Sequence, residues 1–170
     1  AEMSGLAALF VLQAVQDPTL DSRSYSPTAM FGAAAINVNG VPRWTCRTSL
    51  TSLKTNTVTI EPLRHLPVIK DVAVDMEPFF DNYRRIIPHV VSKDEGDKMM
   101  IIKATEDGRL KIADNLECIG CGCCYAACGI PGLDPEYLGP QALNRAFTLI
   151  HDRRDDAREA RLLIVDNEHG

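Results

Sequence analysis

The chain has 170 residues, 45% of them hydrophobic and 24% charged, with a formal net charge of −5. That length and apolar content suit one domain or two small ones with a core. The acidic balance argues against nucleic acid as the main partner, and no apolar run reaches the roughly 18 residues that a membrane span needs.

Taken in order, the chain opens on Ala1 rather than Met, which suggests a removed leader or a trimmed chain. Ser4 is placed to cap a helix over residues 5–16, with Pro18 just beyond its end. Apolar residues nearly encircle this helix, which predicts that it is buried. It lacks basic flanks and is too short for a span, so it is not read as a signal peptide. Residues 21–28 are rich in Ser, Pro and Thr and read as a loop. Asn39-Gly40 lies between two strand-like runs, 33–38 and 41–46, and predicts a hairpin on which Arg43 and Trp44 need no site role. Residues 57–60 alternate and predict a strand, and 61–71 run extended around Pro62 and Pro67. Met76, Phe79, Phe80, Tyr83, Ile86 and Ile87 have helical spacing, with Pro88 as the stop. Residues 92–98 read as a charged loop, and 110–117 as a short helix. After a turn-rich break at 129–135, Gly139-Pro140 opens a helix whose expected apolar face is Leu143, Ala146, Phe147 and Ile150. The charge run 152–159 reads as a solvated helix face, and 156–165 as a last amphipathic helix.

Five of the six cysteines fall within residues 118–128. Cys118, Cys121, Cys124 and Cys128 are spaced C-x2-C-x2-C-x3-C, the bacterial ferredoxin run for iron–sulfur ligation. Thiolates two residues apart in a tight loop can reach neighbouring irons, and Gly120 and Gly122 let the backbone curl. So dense a cluster does not resemble a disulfide framework and favours metal ligation in a reducing compartment. Two competing readings stay open. One is a relic run without metal. The other is a zinc site, although zinc prefers C-x2-C pairs far apart in sequence. Cys123 lies outside the spacing and reads as structural. His65, His89, His151 and His169 share no ligand spacing and read as surface or packing residues. No nucleophile–base motif, glycine-rich phosphate loop or flavin fingerprint is present.

Separate segments agree on one resemblance. D-P-T-L at 17–20, A-I-N-V-N-G at 35–40, E-P-L-R-H at 61–65, V-I-K-D at 68–71, 79–83 and E-C-I at 117–119 occur in order. Y-L-G-P at 137–140 and H-D-R-R-D at 151–155 follow them. Together they resemble the iron–sulfur subunit of succinate dehydrogenase and fumarate reductase, respiratory complex II. The resemblance implies an α+β chain. A degenerate plant-type (β-grasp) ferredoxin domain, 1–72, would precede an all-α bacterial-type ferredoxin domain, 73–170, with the pair incomplete at both ends. The family relays electrons from flavin through 2Fe–2S, 4Fe–4S and 3Fe–4S clusters to a membrane quinone.

The sequence departs from that pattern in three places. The family's plant-type ligand positions fall on Ser26, Phe31, Ala34 and Cys46, so three of four thiolates are missing and no 2Fe–2S cluster is expected. Cys46 is then left over as a half-buried strand residue. The family's leading strand pair and second cysteine run are absent from this sequence. The resemblance thus implies Cys118, Cys121 and Cys124 as three corners of a 4Fe–4S cluster, with Cys128 as one corner of a 3Fe–4S cluster shared with a partner chain. A self-contained cubane on all four would need a changed loop. After Cys128 the residues are Gly129, Ile130 and Pro131, with no aromatic before Tyr137, so no quinone-binding residue is assigned. The implied partners are the flavoprotein subunit, membrane anchor subunits and a second iron–sulfur chain that supplies the 2Fe–2S cluster and the missing ligands. The implied location is the matrix side of the mitochondrial inner membrane, or the cytoplasmic face of a bacterial one. The alternative function is a structural or assembly subunit without clusters.

Overall fold

The computed structural model describes residues 2–28, 30–92 and 100–170. It is a mixed α and β structure with its strands in the first half and most helices in the second. Helix α1, Gly5–Val15, begins where Ser4 Oγ accepts a hydrogen bond from the Ala7 N–H at 3.2 Å. The Gly5 and Leu6 amides donate to the Thr48 and Thr45 carbonyls, which ties the helix start to the sheet. The helix is not buried as expected: only Leu6 and Leu9 face inward, and Val15 is 76% exposed. A helix lying on one small sheet hides one stripe, whatever its composition.

The sheet has the order β2-β1-β3. Strand β1, Ala35–Val38, is buried along its whole length between antiparallel β2, Val41–Trp44, and β3, Ile60–Glu61. Asn39 at φ 51° and Gly40 at φ 77° make the left-handed two-residue turn that Asn-Gly favours. The predicted strand at 57–60 shortens to β3, because pairing starts only where Asn39 Oδ1 accepts from the Thr59 N–H at 2.8 Å. A second hairpin, β4 (Val68–Lys70) with β5 (Ala73–Val74), crosses the expected boundary at 72/73.

Helix α2, Glu77–Arg85, ends before the predicted stop. Pro88 bars the right-handed region to the residue before it, and Ile87 sits at φ 54°. Short helix α3 covers Asp107–Lys111, followed by a 3-10 turn at Asp114–Glu117 that leads into helix α4, Cys123–Ala127. Gly139-Pro140 opens α5, Pro140–Ile150, as predicted. Its buried face is Ala142, Ala146 and Leu149, whereas Phe147 is 40% exposed. Helix α6 is Arg158–Val165. The expected loop at 92–98 lies outside the described residues apart from Ser92.

One apolar core joins the two halves. Ala35, Leu63, Leu66 and Val74 pack with Met76, Phe79, Tyr125 and Ala126, and the Phe79 and Tyr125 rings meet edge-on at 5.8 Å.

The charge run 152–159 is largely exposed, as expected, but it is helical only from Arg158 and the Asp155 side chain is buried. Arg161 is wholly buried and pairs with Asp155, whose side chain is equally hidden. Arg161 also donates to the carbonyls of Ile86 (3.1 Å), Ile87 (2.9 Å) and His89 (2.7 Å) in the segment that follows α2. Asp155 accepts from the Val91 and Ala157 amides. A buried pair survives when its remaining donors and acceptors are satisfied in this way. Arg161→Met leaves Asp155 charged and unpaired, so it is expected to cost about 3–5 kcal/mol in urea unfolding.

Near the end of the chain, His169 Nδ1 lies 2.8 Å from Asp134 Oδ2, and the Leu138 amide donates to the His169 carbonyl. The Asp134 carboxylate raises the pKa of His169, and His169 lowers that of Asp134. A raised histidine adds stability that is full below its unfolded pKa and is lost as pH rises through its folded one. An NMR titration should place His169 above 6.5, and Asp134→Asn should bring it back down.

Candidate metal centre

The cysteine loop is built by its glycines and anchored by its aromatic residue. Gly120 (φ 64°) and Gly122 (φ 80°) both take the left-handed conformation, so the chain reverses twice within three residues. Helix α4 then fixes Cys124 and Cys128. The Cys128 amide donates to the Cys124 and Tyr125 carbonyls at 3.1 and 3.3 Å. Tyr125 and Ala126 are buried in the shared core, which leaves Cys118 and Cys124 on the exposed side and Cys121, Cys123 and Cys128 half-buried.

Cys121 accepts from the Cys123 thiol, which holds its pKa well below the usual thiol range against the opposing effect of burial; the Trp44 side chain adds to the lowering. The same bond, with burial, pushes Cys123 up. Cys124 is exposed as a residue, but its thiol is packed. Burial raises it first, then the charges of Cys121 and Cys118. The charges of Cys118 and Cys121 thus both reach Cys124. Cys128 lies beside Tyr137, whose hydroxyl is raised by burial, then by the charge of Cys128, a hydrogen bond to it and the charge of Cys124.

Soft thiolates in a curled loop have the chemistry to meet neighbouring irons of a cubane. Among the described residues, no three His, Cys, Asp or Glu side chains already stand together as a metal site. The plant-type positions do not fit a four-ligand cluster. The Ser26 hydroxyl is bonded to that of Thr28 at 2.6 Å, Phe31 stacks edge-on against Tyr25 at 5.0 Å, and Ala34 is buried beside Thr45. Phe31 and Ala34 carry no donor atom. Cys46 is half-buried, as expected, but lies in the turn after β2 rather than on a strand. Of the histidines, His65 lies against Gly132, His151 against Phe147, and His169 pairs with Asp134.

Two residues matter here that sequence reasoning passed over. Trp44, read as a hairpin residue without a role, reaches Cys121 and Cys123 and shares a groove with them. Gly32 is buried, at φ 67°, against the cysteine loop, where an added Cβ would lie 2.6 Å from Cys121 Cβ. No local signal marks either contact, because each partner lies far along the chain. Gly32→Ala combines that clash with a strained backbone, so a loss of about 1–3 kcal/mol and faster alkylation of Cys121 are expected. Thermal melting and mass spectrometry of the labelled thiols would check both.

Residues 1–81 match the family model described as a 2Fe-2S iron-sulfur cluster binding domain. The chain is 35% identical over 165 residues to a mitochondrial succinate dehydrogenase [ubiquinone] iron-sulfur subunit 1 of Oryza sativa, covering 96% of this chain and 58% of that protein. It is 31% identical over 174 residues to an Escherichia coli fumarate reductase iron-sulfur subunit, covering 100% of this chain and 69% of the relative. Among solved structures, a chain of the Mycobacterium smegmatis Sdh1 complex in the apo form has the same fold. Its TM-score is 0.83 at 24% identity, over 95% of this chain and 69% of that one.

Proposed function

This chain belongs to the family of iron–sulfur subunits of succinate dehydrogenase and fumarate reductase, and on that premise we propose that it is an electron-transfer part of a divided subunit. It would pass electrons from flavin towards a membrane quinone. The supporting observation is the loop itself: left-handed Gly120 and Gly122, followed by α4, carry Cys118, Cys121, Cys124 and Cys128 at the ferredoxin spacing. Cys118, Cys121 and Cys124 would hold three corners of a 4Fe–4S cluster, and Cys128 one corner of a 3Fe–4S cluster whose other ligands come from a partner chain. When bound, such a group supplies reversible one-electron storage.

The chain's own residues prepare the site. The Cys123 thiol and Trp44 favour thiolate at Cys121. Gly32 lets the loop from the first half close over Cys121. Tyr125 and Phe79 hold the helix that carries Cys124 in the core. The absence of donors at Phe31 and Ala34 supports a second iron–sulfur chain as the carrier of the 2Fe–2S cluster. The remaining partners are the flavoprotein and the membrane anchor subunits. The two ferredoxin-like domains, 1–72 and 73–170, would sit on the matrix side of the mitochondrial inner membrane. Among the described residues, no helix is long and apolar enough to cross a membrane, which is consistent with a peripheral position.

A structural or assembly role is the competing reading. It is favoured by the same plant-type loop, where Phe31, at one of the expected ligand positions, stacks on Tyr25. Iron and labile-sulfide analysis with EPR on the intact complex separates the two. Cys118→Ser should remove or convert the 4Fe–4S signal while the complex still assembles. Unchanged cluster signals, with normal electron flow in Cys124→Ala, would leave only the structural role.

A further inference from the structure

Behind Cys118 lies a cavity of about 30 Å³, walled by Tyr83, Gln141, Asn144, Arg145 and Cys118 itself among others. A polar cavity above roughly 10–15 Å³ of this measure holds a water when it offers two to four polar partners. Gln141 is 2% exposed, and its amide oxygen has no hydrogen-bond partner among the described residues. Arg145 is half-buried and clamped, with Nε and Nη2 both donating to the Pro88 carbonyl at 3.1 and 3.0 Å. It is in no ion pair among the described residues. The carboxylate that feels its charge, Asp152, is forked to Arg154 instead. Asn115 and Asn144 bond reciprocally, at 2.5 and 3.0 Å, and so lock the turn before Cys118 onto α5 one residue from Arg145. Tyr83 senses both neighbours. Burial raises its hydroxyl, the Arg145 charge lowers it and Cys118 raises it.

We propose that Arg145 and a water held in this cavity form a positive, hydrogen-bonding backing to the Cys118 sulfur, making Arg145 a positioning residue that raises the reduction potential of the centre Cys118 serves. This rests on the reading of Cys118 as a cluster ligand. Reduction adds one electron and one negative charge at the centre. A fixed cation behind the sulfur stabilises that form more than the oxidised one, and a hydrogen bond to the sulfur acts in the same direction.

The test is an EPR-monitored potentiometric titration of the intact complex. Arg145→Gln should lower the midpoint by the equivalent of about tenfold in the one-electron equilibrium, ~59 mV. Arg145→Lys should keep most of the wild-type value. Tyr83→Phe, a milder change that keeps the proposal testable if Arg145→Gln fails to assemble, should lower it by less. A high-resolution crystal structure should show an ordered water between Arg145, Tyr83 and Cys118. An unchanged midpoint in Arg145→Gln and Tyr83→Phe at full iron content overturns the proposal, and so does a cavity without water. Cys118→Ser separates the premise from the inference. If it leaves every cluster signal in place, the ligand reading fails and this inference falls with it. If it removes the signal while Arg145→Gln shifts nothing, only this inference fails.

Discussion

The structure depends on one packing arrangement: Tyr125 and Ala126, in the middle of the cysteine run, are buried against the sheet and Phe79. The run is short and glycine-broken, and a five-residue helix has no stability of its own. Its shape is borrowed from the core. The anchoring aromatic fixes which way α4 faces, and that decides which thiols look outward. The same core makes the two halves of the chain interdependent, because residues from Ala35 to Ala126 contribute to it.

The first half is better understood as a buttress than as an idle remnant. The loop that carries Ser26, Phe31 and Ala34 has no thiolate to offer, yet it presses Gly32 onto Cys121. Trp44, on the neighbouring hairpin, lines a groove with Cys121 and Cys123 and adds to the lowering of the Cys121 thiol that the Cys123 thiol dominates. Loss of ligands in one part of the chain is thus compatible with a preserved role in supporting the other. In the second half, two arginine arrangements do different jobs. Arg161 collects carbonyls of the segment that follows α2 and a carboxylate. Arg145, only half-buried, is held by the Pro88 carbonyl and lines a cavity together with Cys118.

Several expectations failed for a common reason. Helix α1 is apolar nearly all round but buries one stripe, since only one sheet face is available to it. Phe147 has the right spacing for the core of α5 and lies 40% exposed, because α6 and α2 approach the helix from the side of Ala142 and Ala146. Asp155, in the largely exposed charge run, forms with Arg161 the most deeply buried ion pair among the described residues, which hydropathy cannot reveal.

Features governed by nearest neighbours along the chain were legible in the sequence itself: the cap at Ser4, the Asn39-Gly40 turn, the helix start at Pro140 and the cysteine spacing with its left-handed glycines. Backbone sterics and short hydrogen bonds set these, and they act over a few residues whatever lies elsewhere. The family was legible too, because its motifs recur in order. Only the tertiary structure decided that Gly32 meets Cys121, that Trp44 shares a groove with Cys121 and Cys123, that Asp155 is buried with Arg161, and that Arg145 and Cys118 line one cavity. Each of these joins segments that the fold alone brings together, and their energetics depend on burial, which no local stretch of sequence defines.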